Sequence, residues 1–232
     1  MHGILFDLDG TLLALDLDAF LRRYFKALQA SVGPHFPGID VMPTILASTE
    51  AMQRPHPLQT NKQVFDEDFK ARTGIDLGEH WHIFEAFYRD VFPTLGDGYG
   101  PARGAREAIE AARALGLKVA VATQPIFPAS AIAHRLAWAG LDDVGFDAIT
   151  TYETMHACKP LPGYFEQTAS MIGCAPSSCL MVGDDRAMDL PASAVGMRTY
   201  YVGDDAAART DHRGSLEELP ALLERLMRSA TA

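Results

Sequence analysis

From residue 102 onward, stretches with helical periodicity alternate with short apolar runs, and this alternation restricts the possible folds more than any other feature of the chain. Helices are expected over 102–115, 129–139, 162–172, 188–195 and 216–228, and strands over 118–122, 146–150, 178–182 and 198–202. Two of the strand runs, Val119-Ala120-Val121-Ala122 and Cys179-Leu180-Met181-Val182, are apolar at every position. A strand with one wetted face would alternate, so both faces of these strands must be covered. That requirement predicts an α/β fold built on a doubly wound parallel sheet. A further apolar run, Ile4-Leu5-Phe6, supplies a strand at the amino terminus.

Between that first strand and the alternating region the pattern is helical throughout. Segments 17–30, 42–54, 60–72 and 76–92 are separated by the breakers Gly33-Pro34, Pro37-Gly38, Pro55-His56-Pro57 and Thr73-Gly74. Gly96-Asp97-Gly98-Tyr99-Gly100-Pro101 reads as a flexible return linker. The expected organisation is an α/β core made of residues 1–14 and 99–232, whose first crossover carries an inserted all-helical domain over 15–98.

The chain has 232 residues, 48% of them apolar, enough for one sizeable core with an insert. Its formal charge of −10 excludes a sequence-independent nucleic-acid binder, which needs clustered Lys and Arg to replace phosphate counterions. Any anionic substrate must then be attracted locally, by a metal or a few placed cations. No apolar run is long enough for a membrane span, and His2-Gly3 leads into the first strand without the basic start of a signal peptide. Together with Cys158, Cys174 and Cys179, which read as reduced thiols, this gives a soluble, cytoplasmic protein as the expectation. A monomer and a homodimer both suit its size.

In open α/β sheets, functional groups collect beyond the carboxyl ends of the strands. That rule selects Asp7 and Asp9 after the first strand, Thr123-Gln124 after the second apolar run, Asp184-Asp185 after the Cys179 run, and Lys159-Pro160 before the 162–172 helix. Asp7 and Asp9 are two apart, so in extended chain both point to one side, where their charges repel unless a cation or a shared proton intervenes. Two or three carboxylates make a hard oxygen site of the kind Mg²⁺ prefers. Thr123 offers a hydroxyl and Lys159 a point charge for a phosphoryl group. Each residue alone has a plainer explanation: a strand end, a solvated helix entry, a helix cap. Their joint occurrence, in this order, points to phosphoryl transfer.

With those residues in view, the sequence resembles the haloacid dehalogenase-like (HAD) hydrolase superfamily, in particular its phosphatase-type members with a Rossmann-like core and a helical cap. Asp7-Leu8-Asp9-Gly10-Thr11-Leu12 is similar to the first family motif, Thr123 to the second, Lys159-Pro160 to the third, and Val182-Gly183-Asp184-Asp185 with Asp189 to the fourth. The resemblance implies an aspartyl-phosphate mechanism. Asp7 would be the nucleophile and Asp9 the general acid and base. It further implies Mg²⁺ held by the Asp7 carboxylate, the Asp9 carbonyl and the Asp184 carboxylate, supported by Asp185 and Asp189. Thr123 and the amide of Gln124 would bind the phosphoryl group, with Lys159 balancing charge. The expected partner is a small phosphorylated metabolite.

Dehalogenases of the same superfamily attack carbon and need neither Mg²⁺ nor an acid at the second position, so Asp9 favours the phosphatase. The same scaffold also serves phosphosugar mutases and non-catalytic binding proteins, and both stay open at this point. Gln124 stands where many phosphatase relatives carry Asn or Ser. Val-Gly-Asp-Asp recurs at Val202 to Asp205, where no further acid follows at the same spacing, so Asp204 and Asp205 are expected in an outer loop. In the insert, Arg22, Arg23, Lys26, Arg54, Lys62, His56, His80 and His82 are candidate substrate contacts. Trp81, Phe84, Phe87 and Tyr88 recur near helical spacing and read as that domain's own core.

Overall fold

The computed structural model describes residues 1–229. Six strands form one parallel sheet: β1 (Gly3–Phe6), β4 (Lys118–Val121), β5 (Ala148–Ile149), β6 (Cys179–Gly183), β7 (Arg198–Tyr201) and β8 (His212–Arg213), in the order β5-β4-β1-β6-β7-β8. Strand β1 lies inside the sheet, pairing with β4 on one side and β6 on the other. Its side chains divide between two apolar clusters. Ile4 and Phe6 join Val119, Val121, Leu180 and Val182 on one face, and Leu5 joins Ala120 and Met181 on the other. Both faces are therefore dry, as the unbroken apolar runs require.

Helices α5 (Ala105–Ala114), α6 (Ala129–Trp138), α7 (Pro162–Met171) and α8 (Leu219–Ser229) follow the expected alternation. Two expectations change. The 188–195 segment forms a 3₁₀ helix, Leu190–Val195, because Pro191 withholds a backbone donor at its start. The expected linker is more ordered than its glycines suggest. Phe92–Gly96 is 3₁₀ helix, and β3 (Gly100–Pro101) pairs antiparallel with β2 (Leu13–Ala14), closing the insert at its root.

The insert contains α1 (Leu17–Val32), α2 (Val41–Met52), α3 (Asn61–Thr73) and α4 (Leu77–Ala86), the last continued by a π turn over Phe87–Val91. Asp16 caps α1 by accepting from Ala19 N, and Thr60 and Gln63 form a reciprocal capping box at α3. Gly74 ends α3 with φ of 75°, a conformation that favours glycine. Along α1, Phe20, Tyr24, Leu28 and Val32 form the buried stripe. The Phe20 ring meets Phe127 and Trp138 of the α/β core, and Tyr24 stands edge-on to Phe127 at 5.2 Å. The start of α3 is tied down as well: Asn61 N donates to Met155 O, Lys62 N to Tyr152 O, and the buried Asn61 side chain to Pro125 O. Insert and core thus share one apolar cluster.

Candidate active site

Register places the site. Phe6 pairs with Val121 on one side and Val182 on the other, so the three strands end level. Asp7 N donates to Val182 O and Ala122 N to Phe6 O, which extends the ladder to the point where Asp7, Thr123 and Asp184 emerge side by side. Oxygen atoms of Asp7, Asp184 and Asp189 lie within 4.8 Å of one another. One hexacoordinate ion can bridge such a span, and three carboxylates form a hard donor set suited to a divalent cation.

Lys159 enters this cluster from the loop before α7. Its Nζ lies 2.6 Å from Asp7 Oδ1 and 2.6 Å from Asp189 Oδ1, and all three residues are buried. Burial raises the Asp7 carboxyl well above its usual range; Lys159 works against that shift, while Asp189 and Asp184 reinforce it. For Lys159, burial acts to lower the ammonium, and Asp189 and Asp7 more than offset it, so the lysine stays charged. Asp184 is pushed up to about 6, mainly by burial, with Thr11 opposing and Asp189 adding to the rise. An acid cluster with its proton affinity raised in this way is one that a cation would relieve.

Close approach explains two glycines. Gly10 has φ of 84°, and a Cβ there would collide with the Asp184 carboxylate; a Cβ on Gly183 would collide with Asp189. Beside Gly10, the Thr11 hydroxyl donates to Asp184 Oδ1 at 2.9 Å and fixes its rotamer.

Asp7, Asp9, Thr123, Gln124, Lys159, Asp184, Asp185 and Asp189 all line one cleft of about 360 Å³. Asp189, expected to act from outside the ligand set, lies among the clustered carboxylates. It is engaged on both oxygens, by Lys159 and by the Asp185 N–H. Asp185 turns its own carboxylate onto the N–H groups of Ala187 and Met188, capping the turn. Gln124 clamps the lysine loop: its Nε2 donates to Lys159 O and its Oε1 accepts from Lys159 N. Thr123 is buried, and its carbonyl is held by the hydroxyls of Thr150 and Tyr164.

The Asp9 carboxylate, expected as the acid and base and not as a metal ligand, is outside the cluster and accepts from Arg135 Nη1. Arg135 is 1% exposed and lies 4.4 Å from the centre of the Phe127 ring. No reading of the motifs named this arginine. A signal was present: on α6 it shares the buried face with Ala131, Ile132 and Leu136, and a charge on an apolar helix face needs a partner. Asp204 and Asp205 are exposed and absent from the cleft lining, and Asp205 pairs with Arg186 at 3.0 Å.

The insert's basic residues and histidines do not line the cleft. Arg23 donates to Asp97 O and stacks on Tyr99, Lys62 pairs with Asp66, His56 bonds Asn61, and His80 packs on Phe36. Of the expected aromatic core, Phe84, Phe87 and Tyr88 are buried and Trp81 partly so. A larger groove of about 530 Å³, between the Pro55-His56-Pro57 loop and the start of α7, shares no residue with the acidic cleft. No helix among the described residues is long and apolar enough to cross a membrane.

Three comparisons bear on this arrangement. Over 120 residues the chain is 33% identical to a phosphatase of Mycobacterium tuberculosis; the match spans 52% of this chain and about half, 54%, of that protein. A HAD phosphatase from Thermococcus onnurineus shares the fold with a TM-score of 0.60, at 22% identity over 96% of this chain and 98% of that one. A putative β-phosphoglucomutase from Thermotoga maritima does so with a TM-score of 0.58, at 18% identity over 97% of this chain and 100% of that one. At such identities the solved structures speak for architecture alone. The family profile of haloacid dehalogenase-like hydrolases matches residues 1–195, a range that includes the strands that build the cleft, and the chain belongs to that family.

Proposed function

We propose that the protein is a Mg²⁺-dependent phosphomonoester hydrolase, acting on a small phosphorylated metabolite in the cytoplasm through an aspartyl-phosphate intermediate. The observation that carries this reading is the convergence of Asp7, Asp184 and Asp189 within 4.8 Å, with Lys159 bridging Asp7 and Asp189. Asp7 and Asp184, with the Asp9 carbonyl, would hold the ion. When bound, a divalent cation supplies positive charge against the acids and the phosphoryl oxygens.

An Asp7 oxygen attacks phosphorus, the new O–P bond forming as the bond to the alcohol oxygen breaks. Asp9 gives its proton to that oxygen and then takes one from the water that hydrolyses the aspartyl phosphate. Lys159 orients Asp7 and balances charge on the transferring group, and Thr123 positions the phosphoryl oxygens. Gln124 acts through Lys159 by fixing its loop. Arg135 holds Asp9 in the cleft between turnovers. The insert, residues 15–98, serves as the cap over the cleft, its first helix contributing Leu17 and Leu21 to the wall.

A dehalogenase would leave Asp9 and the acid cluster without a task. The test is phosphate release from p-nitrophenyl phosphate: it should require Mg²⁺, stop with EDTA, and vanish in a folded Asp7→Asn protein. Halide release from 2-haloacids in EDTA would overturn the proposal.

A further inference from the structure

Beside its charged residues the cleft carries an extensive apolar lining. Leu15, Leu17 and Leu21 come from the insert and its root, Ile126 and Phe127 from the loop after β4, and Met188 from the turn beyond Asp185. Leu17 and Leu21 are one helical turn apart on α1 and so present one continuous surface. Leu17 is 48% exposed, so its side chain is open to a ligand entering the cleft.

What the cleft lacks is as informative among the described residues. Five carboxyl groups line it against two cations, so a second anionic group on the substrate would find an excess of negative charge. Both cations are occupied, Lys159 by Asp7 and Asp189 and Arg135 by Asp9. The two nitrogens that Arg135 leaves without partners, Nε and Nη2, are sealed from solvent. Thr123 and Gln124 are the lining's neutral polar side chains. Gln124 is spent on the lysine loop, and Thr123 sits at the phosphoryl end. None of the insert's basic or imidazole side chains reaches in. Where the hydroxyls of a sugar or polyol met the leucine, isoleucine and phenylalanine side chains, which neither accept nor donate, each unsatisfied group would cost about 1–3 kcal/mol.

Building on the phosphatase reading, we infer that the leaving group is uncharged and largely apolar. The substrate class is the phosphate monoester of an alkyl or aryl alcohol, not of a sugar, a polyol or a hydroxy acid. Leu17, Leu21 and Phe127 determine that specificity by packing against the alcohol's carbon skeleton.

The test compares kcat/KM of the Mg²⁺-loaded enzyme for propyl phosphate, glycerol 1-phosphate and 3-phosphoglycerate, and then for ethyl, butyl and hexyl phosphate. Glycerol is the better leaving group by its own chemistry, so a preference for propyl phosphate reports binding. The expected order is propyl, glycerol, phosphoglycerate, with at least about tenfold between the first two and a rise of about three- to fourfold per methylene from ethyl upward. Leu17→Asn, a change at a half-exposed position that the fold tolerates, should cut the hexyl-to-ethyl ratio by about threefold or more.

Equal or better turnover of glycerol phosphate or phosphoglycerate, or an unchanged ratio in Leu17→Asn, overturns the inference while leaving the phosphatase reading intact. If no ester releases phosphate, that reading fails instead. The leaving-group inference is then decided by binding: hexylphosphonate should raise the melting temperature more than ethylphosphonate, and equal protection overturns it.

Discussion

The same four residues, Val-Gly-Asp-Asp, occur twice in this chain and meet opposite fates. At Val182 to Asp185 they end β6, whose neighbour is β1, so Asp184 emerges next to Asp7, accepts from Thr11 and has its carboxyl pushed up to about 6. At Val202 to Asp205 they follow β7, one strand farther out, where the parallel neighbours are β6 and β8. There Asp204 is solvent-exposed and Asp205 makes an exposed pair with Arg186. The lesson is that an acidic turn gains chemistry from its place in the strand order. Identical residues facing water carry an ordinary surface charge.

Substitutions can break this comparison. The largest effect belongs to Asp7→Asn, which should lower phosphate release by at least about a thousandfold with the far-UV spectrum retained, since the proposed nucleophile is lost. Asp184→Asn should lower kcat by about a hundredfold or more and remove the rise in melting temperature expected on adding Mg²⁺, whereas Asp204→Asn should change neither. An equal loss from both would show that the two turns are equivalent after all.

The pH dependence of the metal-free protein sharpens the contrast. Because the folded state raises the Asp184 carboxyl from near 4 to about 6, it binds that proton more tightly than the unfolded chain does. Stability should therefore fall as pH rises from about 4 through 6. At pH 7.5 Asp184→Asn should stabilise the metal-free protein by on the order of 1–2 kcal/mol, while Asp204→Asn leaves the melting curve in place. With Mg²⁺ bound the wild-type loss should reverse, because the cation takes the proton's role. Urea unfolding at pH 4.5, 6 and 7.5, with and without Mg²⁺, measures both.

Thr11→Val removes the hydroxyl that fixes Asp184 and should cost about 1 kcal/mol of stability and a severalfold loss in kcat. Asp205→Ala is the smallest change: breaking an exposed pair with Arg186 should shift stability by less than about 0.5 kcal/mol.

Much of this was legible before any coordinates. Continuous apolar runs foretold a sheet buried on both faces, and the pattern between 17 and 92 foretold helices there, because local periodicity reports which side of an element is dry. Asp7, Thr123, Lys159 and Asp184 were found because each stands just past an apolar run or at a helix entry. Short edge elements were missed. Leu13–Ala14, Gly100–Pro101 and His212–Arg213 are two-residue strands whose pairing partners, not their own side chains, make them strands. Arg135 was missed because its partner is 126 residues away in sequence; its place on the apolar face of α6 was the local signal, and it does not name the partner.

By itself the sequence determined which residues could do the chemistry and that they would sit at strand ends, since residue type and periodicity are local properties. Only the tertiary structure decided that Asp189 joins the acid cluster, that Gln124 serves the lysine loop, that Asp9 is held by Arg135, and that Leu17, Leu21 and Phe127 line the same cleft. Those assignments depend on distances between segments far apart in the chain, which strand order and register set and no local pattern encodes.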